Sequence, residues 1–285
     1  MKFVPEFFEI TSPSVQQTAE YIQKVYSETN IKNIKKKQTV TRHLNVEIEP
    51  LESKNTIVAI KTEKEELTLD SILKKQENIS KEIAKTIDFV QLKVNPLGEI
   101  IRILNQDEIL NKWYPIKRKL TNEYRGKSFD AYVSGIEKKI ENHDALLEDF
   151  KQYRLFGGLF NAICFEHSTD ASKYNQRDRA IDNFIFNTTL HFKESVLLEK
   201  VGEREVTLKV KGDFDPEKND LKVVMNEFDK KGIKEESKLK LKKYSGSYLI
   251  DKNSNVIKNM QLTTEVAYGA DYYKKIEYSL QKQIK

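Results

Sequence analysis

The chain has 285 residues, 38% of them hydrophobic and 33% charged, with 49 basic side chains against 44 acidic for a net charge of +5. That apolar content excludes a disordered chain, and the length is ample for one large domain or two intimate halves around a real core. So small a positive excess gives no reason to expect a polyanionic partner.

The first nine residues carry two glutamates, Glu6 and Glu9, and no uninterrupted apolar run, so no secretory signal is expected. No segment approaches the roughly 18 apolar residues needed to span a bilayer. A single cysteine, Cys164, excludes an internal disulfide and any multi-cysteine metal site. These features lead to the expectation of a cytoplasmic protein.

In chain order, Ser12 and Pro13 read as an N-cap and a first helical residue. Val15, Ala19, Ile22, Val25 and Tyr26 keep helical spacing, which predicts a helix over 13–28 and a basic connector over 30–37. Val40, Leu44, Val46 and Ile48 then alternate with polar residues as a half-buried strand, with Arg42 as the one exception on the apolar side. A turn at 50–55 leads to a strand over 56–62, a helix over about 70–85, and a strand through Val90, Leu92 and Val94. Asn95-Pro96-Leu97-Gly98 is a strong turn signal before a strand over 99–104.

The middle of the chain reads as helical. Ile109, Leu110, Trp113, Ile116 and Leu120 form a stripe, which predicts a buried Trp113 and a kink or break at Pro115. Ser128 caps a second helix carrying Phe129, Tyr132, Val133, Ile136 and Ile140, and helix continues over 145–153. A dense apolar run over 155–165, interrupted by Gly157-Gly158, is expected to plug the inside of a curved sheet, contacting Phe184, Phe186 and Leu190 and hiding Cys164.

After a polar loop over 168–179, Phe184, Phe186, Leu190 and Phe192 alternate, as do Val206, Leu208 and Val210. Asp215-Pro216 starts a helix with Leu221, Val224, Met225 and Phe228 on one side and Gly232 at its end. Strands over 239–250, 256–268 and 272–280 complete a meander. The order strand, strand, helix, strand, strand therefore occurs twice, at 39–104 and 180–285, around a helical insert at 105–167 and after an N-terminal segment at 1–38. The fold class expected is α+β: one domain over 1–285, with a curved antiparallel sheet of two pseudo-repeat halves and a helical block on or in its concave face.

The hairpins carry a family resemblance. The run from Val90 through Gly98 to Ile101, and the run from Gly246 through Asp251 to Met260, resemble a signature of uncharacterised bacterial proteins similar to the lipoprotein-carrier superfamily. That resemblance implies a strongly curved antiparallel sheet wrapped around helices and able to hold an acyl chain.

Motifs that would carry catalysis are sparse. Cys164 and His167, three apart, would share a face if 159–167 were helical, and an imidazole there could lower the thiol's pKa. The competing reading, a small buried hydrophobe between Ile163 and Phe165, is preferred because no oxyanion turn or orienting carboxylate lies nearby. The histidines His43, His143, His167 and His191 lack metal-ligand spacing, so no metal is expected. The glycines form no phosphate loop, and no cofactor is expected. The lysines between Lys230 and Lys243 read as protection of a sheet edge rather than as a nucleic-acid surface.

The favoured functional reading is a non-enzymatic protein that binds a protein partner, as adaptors, chaperones and immunity proteins do. The alternative is a cup for a lipid or acyl chain, with Leu155, Phe156, Leu159, Phe160 and Ile163 as the residues that meet ligand or partner. A thiol enzyme using Cys164 and His167 comes last.

Overall fold

The computed structural model describes residues 6–69, 73–160, 163–170, 176–186, 188–233 and 238–284. Expectations for the helix start at 70–72, for 171–175 of the polar loop and for 234–237 of the lysine-rich stretch lie outside the described residues. In chain order come β1 (Phe7–Glu9), β2 (Gln17–Ile31), β3 (Ile34–Pro50), β4 (Thr56–Thr68), α1 (Lys74–Ala84), β5 (Phe89–Val94) and β6 (Ile100–Ile103). The helices α2 (Gln106–Glu123), α3 (Lys127–Glu141) and α4 (His143–Phe150) follow, then β7 (Glu166–Ser168), β8 (Gln176–Ile185), β9 (Thr188–Val201) and β10 (Glu205–Phe214). Last are α5 (Leu221–Lys230), β11 (Leu239–Asp251), β12 (Ile257–Tyr268) and β13 (Tyr272–Lys282).

Eleven strands form one curved antiparallel sheet in the order β6-β5-β4-β3-β2-β13-β12-β11-β10-β9-β8, not closed into a barrel. β1 and β7 make a separate two-stranded ribbon. The run β2-β3-β4-α1-β5-β6 has the same order as β8-β9-β10-α5-β11-β12, and each run occupies consecutive places in the sheet. Corresponding strands stand six places apart in an antiparallel sheet and so point the same way. Each unit is thus one strand longer at its start than the sequence pattern predicts, and β13 joins the two.

The missing strand is the predicted helix over 13–28, which is β2. Ala19, Tyr21 and Gln23 are buried and Val25 follows on the same face, a period of two. The apolar positions fit both periods. Thr18, Tyr21, Ile22, Val25, Tyr26, Thr29 and Ile31 give the segment strand character, and pairing with β3 and β13 on both edges decides the outcome. The predicted connector at 30–37 is a two-residue hairpin: Ile31 pairs with Ile34, and Lys32 and Asn33 take φ of 48° and 66°.

Other expectations change for local reasons. α2 runs unbroken through Pro115, and Trp113, Ile109 and Leu120 are fully buried on it as expected. Ser128 lies inside α3, whose N-cap is Gly126. α5 starts at Asp220, whose carboxylate accepts from the Lys222 and Val223 amides, while Asp215 closes the preceding turn. Only Val224 and Phe228 of its predicted stripe are buried, and Leu221 and Met225 face outward. β11 is an inner strand between β12 and β10, not an edge; its lysines Lys240, Lys242 and Lys243 lie where pairing with β10 has not yet begun, since that pairing starts at Ser245. Of the run at 155–165, residues 155–159 are turns and 163–165 carry no regular structure, with 161–162 outside the described residues.

Candidate ligand-binding cavity

Strand register places three rows of side chains side by side on the face of the sheet that the helices cover. Tyr278, Val25, Val40 and Leu67 are direct cross-strand neighbours on β13, β2, β3 and β4. Two residues to one side lies the row Ile276, Ser27 and Gln38; two residues to the other lies Leu280, Gln23, Arg42 and Glu65. Alternation along each strand puts all three rows on one face. Opposite them stand Ile83 and Ile87 after β4, Ile136 and Ile140 of α3, Leu146 and Phe150 of α4, and Ile181 of β8.

Sheet and helices do not close on one another here. They enclose a cavity of about 650 Å³, within the usual range for a small-molecule site. Val25 and Val40 on the floor and Ile83, Ile87 and Ile136 on the opposite wall are only part-buried. Tyr132 of α3, half exposed, stands where the cavity meets solvent. Gly135 lines the same side, and a Cβ built on it would meet nothing within 4 Å.

One end of the cavity is polar. Arg42 donates from Nε to Glu65 and from Nη1 to the Gln23 side-chain oxygen at 3.1 Å and to the Arg154 main-chain carbonyl at 2.7 Å. Gln23 in turn donates to the Leu155 carbonyl. The exception in the β3 pattern thus pins the turn after α4 to the sheet. The Arg154 guanidinium pairs through Nη2 with Asp149, which Lys139 also reaches at 3.1 Å. Gln152 accepts from the Asp182 amide at 3.3 Å, tying the same turn to β8.

The residues singled out from sequence lie mostly beside this cavity. Leu155 borders it; Phe156 packs edge-on against Phe150. Leu159, Phe160 and Ile163 surround a much smaller void of about 60 Å³ against Tyr21, Val46, Ile48, Val58 and Val94. Four of the five are buried and Leu159 is half-buried, so the run fills core over β2 to β5. Phe184 packs edge-on against Phe192, and Phe186 meets Phe228 and Tyr272 in a second aromatic group.

Cys164 and His167 are not brought together as a nucleophile and base. His167 is buried, stacked on Phe165 at 4.1 Å, and its Nε2 donates to the Ile163 carbonyl at 2.8 Å. Burial pushes its pKa down to about 4 and pushes the Cys164 thiol up to about 11, so both are neutral near pH 7, the reverse of an ion-paired catalytic thiol. Cys164 is half-buried rather than sealed, against Gly98 and Ser12. His143 bonds Gln106 at 2.8 Å and His191 is held through its backbone by Asn219. No cluster of metal-ligating side chains occurs among the described residues.

A buried ionic group escaped the sequence reading. Glu194 on β9, fully buried, accepts from the hydroxyls of Tyr153 at 2.6 Å and Tyr244 at 2.7 Å and from Arg177 at 3.0 Å, with Arg179 at 3.5 Å. Burial pushes its carboxyl up, but the two guanidiniums and the two hydroxyls outweigh burial and leave it below the ordinary value. The arginines come from the stretch read as a polar loop, which includes the start of β8.

Comparison with known proteins adds little to this geometry. No known protein family matches the chain. No curated protein matches it either. Among solved structures, one of lipid–protein interactions in lipovitellin is similar over 99% of this chain at 9% identity and a TM-score of 0.41, and the chain spans only 26% of it. A DUF1329 family protein from Desulfovibrio piger is similar over 95% of this chain and 88% of its own length, at 10% identity and a TM-score of 0.19.

Proposed function

We propose that the protein is a non-enzymatic carrier or sensor of an apolar ligand, such as a lipid or acyl chain, held between the concave sheet face and the helical block. The observation that carries this reading is the row Tyr278–Val25–Val40–Leu67, which faces a cavity of about 650 Å³ instead of packed atoms. Apolar side chains left facing such a space are stabilised by whatever apolar group enters it. This reading reverses the order suggested by sequence, which put a protein partner first. It also moves the binding residues from the 155–163 run to the rows beside it.

The neutral fluorophore 1-aminoanthracene tests the proposal. Titration is expected to give saturable binding with one site per chain. Gly135→Phe, which projects a ring into the mouth, is expected to weaken that binding while the melting temperature holds or rises, because glycine inside a helix is unfavourable by about 0.5–1 kcal/mol. Absence of saturable binding, or undiminished binding by the variant, overturns the reading.

A further inference from the structure

We infer that the ligand is a single-chain amphiphile with an anionic head, a carboxylate received by Arg154 and Lys139 at the polar end of the cavity. The inference rests on the apolar-ligand reading above and adds the chemistry of the head group.

The argument begins with the charges that line the cavity. Arg42 is matched by Glu65 at 2.5 Å, with both side chains largely buried. Asp182 accepts from the Thr189 hydroxyl at 2.9 Å and keeps its negative charge. At this corner Asp149 is shared by two cations, Lys139 and Arg154, so Arg154 does not have a carboxylate to itself, although over the whole lining three cations face three carboxylates.

Arg154 is also short of acceptors. A guanidinium has five N–H donors in a fixed fork. Here Nη2 is taken by Asp149, and Nε is buried with no hydrogen-bond acceptor among the described residues. A buried donor left unpaired is costly, and a guanidinium in a cavity wall fits a planar, two-oxygen anion. Arg154 lines the same cavity as Tyr132, at the mouth, and Tyr278, on the floor. An anion seated there would direct an attached chain along Val25, Val40 and Leu67, toward Ile83 and Ile87.

The test is displacement of bound 1-aminoanthracene by palmitate, methyl palmitate and acetate. Palmitate is expected to displace it roughly 10- to 100-fold more effectively than the ester, the worth of a charge-assisted contact. Acetate, a head without a tail, is expected to displace nothing. Arg154→Gln is expected to reduce palmitate to the level of the ester, and Arg154→Lys to keep part of the preference. Equal displacement by acid and ester, or a preference that survives Arg154→Gln, overturns the head-group inference and leaves the apolar cup standing. Displacement by acetate alone would make the corner a small-anion site and overturn it too. Failure of 1-aminoanthracene to bind at all removes both the cup and this inference.

Discussion

The Arg42 guanidinium donates to the main-chain carbonyl of Arg154 at 2.7 Å, joining β3 to the turn after α4 across 112 residues of sequence. The same side chain holds Glu65 and Gln23, so one residue fixes both the floor of the cavity and the turn at its polar end. Arg42→Ala is expected to cost about 2–4 kcal/mol in urea unfolding, because Glu65 is left part-buried without its partner. Arg42→Met combined with Glu65→Met should recover much of that loss. A single variant as stable as wild type would show that the turn is held by other contacts.

Trp113 anchors the helical block, fully buried between Ile109 and Leu120 on α2. Trp113→Ala should cost about 3–5 kcal/mol. Trp113→Phe should cost clearly less, since the indole Nε1 has no acceptor among the described residues and its removal relieves an unpaired donor. Equal losses for the two variants, measured by denaturant midpoint, would argue that the indole N–H is paired.

His167 sets the acid limb of stability. Burial, with the Arg177 charge adding to it, lowers its pKa from 6.5 to about 4. A depressed folded-state pKa means that the contribution is complete above pH 6.5 and is lost as pH falls toward 4. At about 1.4 kcal/mol per pH unit the interval amounts to about 3 kcal/mol. Melting temperatures of wild type and His167→Gln should therefore converge as pH is lowered from 6.5 to 4. Parallel curves over that interval would mean that the imidazole protonates in place.

Cys164 should react slowly. With its thiol pushed up to about 11 by burial, on the order of one molecule in a thousand is thiolate at pH 8. Modification by a disulfide reagent is expected to be correspondingly slow in the native protein and to accelerate as pH rises. Labelling at the rate of a free thiol at pH 8 would return the nucleophile reading to consideration.

Much of the architecture was legible because period-two alternation survives wherever one face of a strand is covered, as at Val206, Leu208 and Val210 or Val40 to Ile48. β2 was not, because Ala19, Ile22, Val25 and Tyr26 satisfy a helical period as well, and only its two neighbours resolve the ambiguity. The cavity was half legible. Arg42 stood out as a charge on an apolar face, which is a site signal, but its meaning depends on Glu65, Gln23 and Arg154, which come together only in three dimensions. The run at 155–163 drew attention by its density of large apolar groups, and such density marks filled core as readily as an open site. Glu194 gave no local signal at all: its neighbours Lys193 and Ser195 made it look like one more solvated position.

The place of β13 bears on how the chain assembles. It lies in the middle of the sheet, between β2 from the start of the chain and β12 from near its end. Until it docks, β2 presents an unpaired edge and the cavity floor lacks Tyr278 and Ile276. Without β13 the first unit is a sheet with one open edge, and closing it takes the most non-local pairing among the described strands. Under the proposed carrier role, a complete ligand cavity and a complete sheet then depend on the same event, the insertion of one strand.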